Sequence, residues 1–360
     1  VGILGILAAF LILAFYTTVA GWTLEYFFQS VTGKLFDSSG HYEEMFNTFS
    51  TSVFRPILWF LIFMGLTGFV IISGVENGIE KYSKILMPVL FVLLIVLVIR
   101  SLTLPGAKEG LKFLFKPDLS KINGSVFLQA IGQAFFSLSI GMGTLITYGS
   151  YIRKDDNLSS SAAFITLTDT VIAIIAGVAI FPAVFALGGS PTSGSGLVFI
   201  VLPGVFEKMT LGIVFAALFF LLLSIAALSS TISILEVVVA YLVEELGMTR
   251  TKSTILAMTS ATVIGLLSVL SFGPLSGITV GEQNIFGMLD YVTSNIMLPI
   301  GGLFIVIFVG WILKPSVRIR ELTNNGSLKS KFYPLYIYLI RFVAPVAIAL
   351  VFLYSLGFFV

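Results

Sequence analysis

The sequence predicts an all-α protein that crosses a membrane many times. Apolar residues make up 57% of the 360 and charged residues 11%, against roughly 45–50% and about 25% in a soluble domain. Nine segments are apolar over about 20 residues, the length that a helix needs to span the bilayer core. None alternates apolar and polar residues with the two-residue period of a barrel strand. These observations exclude a soluble enzyme, an outer-membrane barrel and a disordered chain.

Charge and cysteine content exclude two further classes. The formal net charge is only +2, so the chain offers no basic face for nucleic acid. The chain has no Cys and therefore cannot be a disulfide-built scaffold. It begins at Val1 inside an apolar run, without the charged segment and cleavage site of a signal peptide. We interpret this start as an N-terminal truncation of a longer protein, with an experimental boundary as the alternative.

The nine predicted spans follow one another with short polar connections between most of them. In chain order they are 2–29, 54–74, 83–102, 126–151, 161–187, 210–243, 253–272, 285–313 and 333–358. Lys and Arg are more frequent in one set of alternate loops, which includes Lys84, Arg153, Arg250, Lys314 and Arg320. Because cytoplasmic loops carry such an excess, we expect the N-terminus in the cytoplasm and the C-terminus outside a plasma membrane.

Two connections and one span depart from a simple bundle. Residues 103–125 and 188–209 are too long for tight turns, and the apolar second half of 188–209 can fold back over the bundle. For 103–125 a solvated cap is the equal alternative. Residues 136–143, FSLSIGMG, place two Gly and two Ser inside the fourth span. Such a stretch favours either a helix broken around a binding site or close packing of small residues.

Polar groups at membrane depth indicate candidate sites, because burying them is costly. Ser229, Ser230 and Ser233 lie in AALSSTIS (226–233), where they can bind sodium or another helix. Asp169 is the carboxylate for which we favour a function, and Glu236 and Asp290 are further candidates. We expect Glu25 to be solvated or interfacial and His41 to be solvated. No catalytic triad, metal cluster or phosphate loop is present, so we expect a protein that is not an enzyme and has no organic cofactor.

Four strings form a joint pattern: LILAFYTTVAGWTLEY (11–26), GQAFFSLSIGMGTLITYGSYIRKDD (132–156), SIAALSSTISILEVVVAYLVEEL (224–246) and MLDYVTSNIMLPIGGLFIVIFVGW (288–311). Together they resemble the neurotransmitter:sodium symporter family, most closely its bacterial amino-acid transporters with the leucine-transporter fold. The resemblance covers essentially the whole chain. It implies that the nine spans correspond to family helices 3 to 11, so that the first two helices are missing.

The resemblance also implies an inverted-repeat architecture in a single transmembrane domain. Residues 1–102 would be the three-helix remnant of the first repeat, and 126–313 the five helices of the second. Residues 333–358 would form an additional C-terminal helix. A monomer or homodimer in the lipid bilayer is expected.

The implied site residues follow position by position from the matching strings. Those expected to contact an amino-acid substrate are Ile12, Tyr16, Phe136, Ser139, Met142, Ser230 and Ile234. Those expected at sodium sites are Ser137, Asp169, Ala226, Ser229 and Ser230. Those expected in the outer and inner gates are Gln133, Phe136, Asp290, Tyr151 and Glu244.

Asp169 departs from the family pattern, because it stands at or beside an asparagine that binds the first sodium. A fixed carboxylate there can replace chloride in balancing the sodium charge, and it can alternatively be a proton site. We therefore expect chloride not to be required.

The implied function is sodium-coupled symport of a neutral, hydrophobic or aromatic amino acid by alternating access. The alternative is a non-transporting truncated membrane protein or assembly partner descended from such a symporter. An ion channel is a weaker reading, because no symmetric ring of carbonyls or charges is evident.

Overall fold

The fold is a helical bundle built around two long central helices. The computed structural model describes residues 2–37, 40–153, 156–189, 191, 194–324, 326 and 333–358. Val1, and Lys154 and Asp155 of the second string, lie outside the described residues. Helices α1 to α7 are Gly2–Val31, Tyr42–Thr51, Phe54–Ile72, Lys81–Leu102, Ala107–Phe115, Gly124–Ser137 and Thr144–Tyr151. A π-helical turn, Val75–Glu80, precedes α4.

The second half of the chain continues in the same way. Helices α8 to α14 are Leu158–Ala186, Gly194–Glu207, Gly212–Glu244, Arg250–Leu270, Ile285–Ile312, Pro315–Leu322 and Tyr333–Ser355. Short 3-10 turns lie at Lys34–Phe36 and Leu119–Lys121. An antiparallel pair of two-residue strands, β1 (Thr279–Val280) and β2 (Gln283–Asn284), precedes α12.

Eight helices among the described residues are long and apolar enough to cross a membrane. They correspond to eight of the nine predicted spans. The remaining predicted span, the fourth (126–151), is not one continuous helix, because it is divided into α6 and α7. The break falls within the Gly- and Ser-rich stretch 136–143 that the sequence singled out.

Pairs of hydroxyl groups join α1 and α3 to α10. Thr23 and Ser224 lie 2.9 Å apart, and Thr67 and Thr231 lie 2.8 Å apart, all of them buried. Such bonds help to fix helix pairs in lipid, where packing of apolar faces alone provides little driving force. Gly21 lets α1 approach α3, since a Cβ there would lie 2.9 Å from the backbone nitrogen of Phe60.

One end of the bundle, called here the α2 end, is closed by α2 and α9. The apolar half of connection 188–209 forms α9 and folds back, burying Phe199 against Trp22 and Tyr26 of α1. The Tyr42 hydroxyl donates to Glu207 at 2.8 Å. Burial and this carboxylate raise the pKa of Tyr42 above its usual value. The opposite end, where α11 begins, is called the Arg250 end.

Candidate functional site

The break between α6 and α7 is built from residues in left-handed backbone conformations. Ser139 has a φ of 54°, Gly141 of 91° and Gly143 of 80°. A side chain at Gly141 would collide with the carbonyl oxygen of Leu298 in α12. Glycine is therefore required for the broken segment to pack against its neighbour, and the non-glycine Ser139 is held in a conformation that is typical of functional sites.

A cavity of about 820 Å³, open to solvent, lies beside this break. The walls come from α1, α4 with the turn before it, α6, α7, α8 and α10, and from the broken segment. All seven residues predicted to contact a substrate line it, namely Ile12, Tyr16, Phe136, Ser139, Met142, Ser230 and Ile234. None of the described lining residues is charged. An uncharged, largely apolar cavity with several hydroxyl groups fits a ligand whose side chain is neutral.

Three oxygen atoms meet on α10 at the edge of this cavity. The Ser229 hydroxyl donates to the Ala226 carbonyl at 2.8 Å, and the Ser230 hydroxyl donates to the same oxygen at 3.2 Å. Both serines line the cavity. Carbonyl and hydroxyl oxygens are the type of ligand that hard cations prefer. The three residues predicted for one sodium site are thus brought together.

Ser137 and Asp169 form a second group at the end of α6. The Ser137 hydroxyl lies 2.8 and 2.9 Å from the two carboxylate oxygens of Asp169 on α8. Ser137 lines the cavity, and Asp169 is not among the lining residues. These two residues are far apart in the chain, and both were predicted for the other sodium site.

The predicted gate residues are only partly brought together. Gln133 and Phe136 line the cavity. Asp290 accepts a hydrogen bond from Ser294 at 2.9 Å. Tyr151 is not bonded to Glu244, which is exposed at the end of α10. Its hydroxyl donates instead to Glu236 at 2.6 Å.

The Arg250 end contains an ion pair between Glu236 and Arg250, which was not predicted from the sequence. Glu236 is 0% exposed. Arg250 donates from Nη1 and Nη2 to its two carboxylate oxygens at 3.0 and 2.5 Å. The Nε of Arg250 donates to the Ile71 carbonyl of α3 at 2.7 Å. This Glu236 cluster, made of Glu236, Arg250 and Tyr151 with the Ile71 carbonyl, ties four helices together. The sequence signal was the carboxylate at membrane depth, but nothing in it identified the partners.

Of the two positions expected for Glu25, solvated or interfacial, the solvated one was wrong. Glu25 is 2% exposed, and its carboxylate accepts hydrogen bonds from Arg55, Trp59 and Gln29. The physical reason is that α1 and α3 pack closely, which brings the side chain of Arg55 onto Glu25. A charge at the end of an apolar span can be shielded by a second helix as well as by water.

Comparison with known proteins points to one family. The family model described as the sodium:neurotransmitter symporter family matches residues 39–359. YhdH of Bacillus subtilis (strain 168), described as an uncharacterized sodium-dependent transporter, is 38% identical, and the match covers 99% of this chain and 79% of YhdH. The sodium-dependent nutrient amino acid transporter 1 of Drosophila yakuba is 26% identical over 84% of this chain and 46% of its own length.

A solved structure agrees with the sequence relatives. It is the crystal structure of MhsT in complex with L-phenylalanine, 47% identical with a TM-score of 0.89, covering 98% of this chain and 80% of MhsT. The broken α6–α7 helix and the membrane-length helices described above are thus accompanied by sequence and structural similarity over nearly the whole chain. The chain therefore belongs to the sodium:neurotransmitter symporter family, whose members are multi-pass membrane transporters that depend on sodium and not enzymes.

Proposed function

We propose that the protein carries a neutral, hydrophobic or aromatic amino acid across the plasma membrane together with sodium. The observation that carries this proposal is the cavity beside the helix break, because its described lining residues are apolar or uncharged. MhsT, the structural relative, was crystallised with L-phenylalanine. A charged side chain would find no counter-charge in such a cavity, and leaving a charge unpaired in a partly dry site is costly.

The substrate is held through its backbone and its side chain. The hydroxyl of Tyr16 binds the carboxylate, and the backbone of the broken segment around Ser139 and Met142 offers further polar contacts. Ile12 and Ile234 pack against the side chain, while Phe136 covers it. Phe136 is partly exposed on the cavity wall, a position from which its ring can turn over a ligand.

Sodium occupies two groups of oxygen atoms. One group is the Ala226 carbonyl with the hydroxyls of Ser229 and Ser230, which already converge. The other contains the Ser137 hydroxyl and the Asp169 carboxylate. A carboxylate beside the ion balances its charge, so chloride is not required for transport.

Transport proceeds by alternating access between the two faces. Sodium and substrate bind from outside, Phe136 and the outer gate around Asp290 and Gln133 close, and the Glu236 cluster with Tyr151 then opens the inner side. Glu244 lies beyond this cluster on the same helix. The proposed repeats, 1–102 and 126–313, move against each other around the cavity. The Arg250 end faces the cytoplasm in this arrangement, in agreement with the loop charges.

Uptake into proteoliposomes tests the proposal. The purified chain is reconstituted, and entry of radiolabelled phenylalanine, leucine, lysine and glutamate is followed under an inward sodium gradient. We expect concentrative uptake of phenylalanine or leucine, none of lysine or glutamate, and no uptake with potassium in place of sodium. Absence of sodium-driven uptake of every amino acid by a folded chain would favour the non-transporting alternative.

A further inference from the structure

Two arginines at the Arg250 end meet at one carbonyl oxygen. Arg318 of α13 is 4% exposed, and its Nη1 donates to the carbonyl oxygens of Val309 at 2.6 Å and Gly310 at 2.7 Å. Arg341 of α14 donates from Nε to the same Gly310 oxygen at 2.8 Å. Both acceptors lie in the last turn of α12. The proposed transport cycle uses neither arginine.

The positive charge at this point is not balanced by protein. Neither Arg318 nor Arg341 forms an ion pair with a carboxylate in the described parts of the chain, whereas the neighbouring Arg320 pairs with Glu321 at 3.1 Å. The buried Nε of Arg318 has no hydrogen-bond partner. The carbonyl end of a helix supplies only about half a negative charge. Two adjacent cations in a medium less polar than water repel each other strongly. An anionic ligand bound between the two arginines would therefore be stabilising.

The surroundings of the pair have the character of a membrane interface. Arg341 is half-buried, and its guanidinium carbon lies 5.4 Å from the ring centre of Trp311. Trp311 is 57% exposed at the end of α12, and Tyr338 and Phe342 are exposed on α14. Exposed Trp and Tyr residues at the ends of spans typically lie at the level of lipid headgroups.

We propose that the Arg318–Arg341 pair binds the phosphate of an anionic phospholipid. Within the described residues the Nη groups of Arg341 have no protein acceptor, so they are available to the phosphate, while Arg318 adds its charge from behind. A planar guanidinium matches phosphate with two parallel hydrogen bonds. Free phosphate has the same headgroup chemistry. A lipid is the better ligand because the apolar surface of α14 continues from Phe342 to the exposed Val346, where acyl chains can lie.

Lipid retention in native mass spectrometry tests this site. The whole purified chain, in detergent, is titrated with phosphatidylglycerol and, separately, with phosphatidylcholine. We expect preferential retention of phosphatidylglycerol, weakened about five-fold in Arg341→Gln because one arginine near a membrane surface contributes that much. Arg320→Gln removes an equal charge from the same region and should leave retention unchanged. Equal loss in the two variants, or none in Arg341→Gln, would overturn the proposal.

A second variant and a second ligand complete the test. If Arg341→Gln does not fold, Arg341→Lys retains the charge but loses the planar contact, and it should weaken retention where Arg320→Lys does not. Inorganic phosphate should stabilise the chain against heat less than phosphatidylglycerol does. Equal stabilisation by inorganic phosphate and phosphatidylglycerol would identify a site for free phosphate and overturn the proposal of a lipid site. No sodium or amino acid is added, so the result is independent of the proposed transport function.

Discussion

The carboxylates near the membrane spans differ in whether an arginine of another helix is their hydrogen-bond partner. Glu25 and Glu236 are buried and are each held by an arginine from another helix, Arg55 and Arg250. Within the described residues, the side chain of Asp169 accepts hydrogen bonds from the hydroxyl of Ser137 alone. Removing one partner of a buried ion pair leaves the other uncompensated, which is costly. A carboxylate without a cationic partner beside a candidate cation site is available to the ion.

Replacing Glu25 tests the ion pair at the α2 end, in which the carboxylate is buried and Arg55 is exposed. Glu25→Gln removes the buried charged acceptor that Arg55, Trp59 and Gln29 share, and it should lower the free energy of unfolding by about 1–3 kcal/mol. Thermal unfolding in detergent measures the change. Glu80→Gln is the control, because the Glu80–Lys84 pair is exposed and such pairs contribute at most about 1 kcal/mol. A melting temperature that falls equally in both variants would contradict the structural role of Glu25.

Asp169→Asn tests the charge balance at the proposed sodium site. Without the carboxylate, sodium-driven uptake should become weak in chloride-free buffer and should recover when chloride is added, because the anion replaces the lost charge. Uptake with chloride or gluconate measures this. Asp118→Asn, a change at an exposed loop carboxylate, should behave as the wild type in both buffers. Unchanged sodium dependence of Asp169→Asn without chloride would refute the assignment.

At the scale of the element, the broken α6–α7 helix forms part of the cavity wall. Gly141 occupies a left-handed conformation against α12, and a Cβ at Gly301 would lie 2.8 Å from the Gly141 carbonyl oxygen. Both glycines allow contact between the broken segment and α12. The break departs from the regular hydrogen-bond pattern of a membrane helix, which is tolerated at membrane depth where the backbone lines a cavity.

Gly141→Ala should disturb this break. The added methyl group collides with Leu298 in a backbone conformation that alanine avoids, so we expect a loss of stability of at least about 1 kcal/mol and weaker amino-acid binding. Gly149→Ala is the matched control, since nothing lies within 4 Å of its Cβ position on helix α7. There alanine should be neutral or stabilising by about 0.5–1 kcal/mol. Equal effects of the two changes on binding would contradict the account.

Elements were more predictable than their contacts. Membrane spans follow from hydropathy, and the break follows from the Gly and Ser residues of 136–143, although small-residue packing explained those residues equally well beforehand. The pairs Glu25–Arg55 and Glu236–Arg250 could not be predicted from the sequence. In a membrane protein the side of a helix that faces lipid is as apolar as the side that packs against other helices. Helices such as α1 and α10 therefore show no polar face that would reveal which residues meet.

At the scale of the whole molecule, polar clusters lie at both ends of the helical bundle. The Glu236 cluster joins α3, α7, α10 and α11 at the Arg250 end. The Glu25 group joins α1 and α3 at the α2 end. Alternating access requires that one closed end open while the other stays shut. In our proposal the Glu236 cluster is the part that opens to the cytoplasm.

Weakening this cluster should shift the molecule toward its inward-open form. The chain has no Cys, so Ser253→Cys, at a buried position on α11, provides a single reactive thiol. Its labelling by maleimide should be slow in sodium and should accelerate several-fold when Glu236→Gln is added, because the bidentate bond to Arg250 is weakened. Glu245→Gln, an exposed carboxylate on the same side, serves as the control. Labelling that is insensitive to Glu236→Gln would contradict the proposed opening.

Equilibrium binding of radiolabelled L-phenylalanine to the purified chain tests the central claim most directly. The account predicts saturable binding that rises with sodium and is absent in potassium. It also predicts that Tyr16→Phe weakens binding about ten-fold or more, since a hydrogen bond to a charged group contributes about 1.5–3 kcal/mol. Binding of equal strength in both salts, or unaffected by the loss of the Tyr16 hydroxyl, would show that this cavity is not a sodium-coupled amino-acid site.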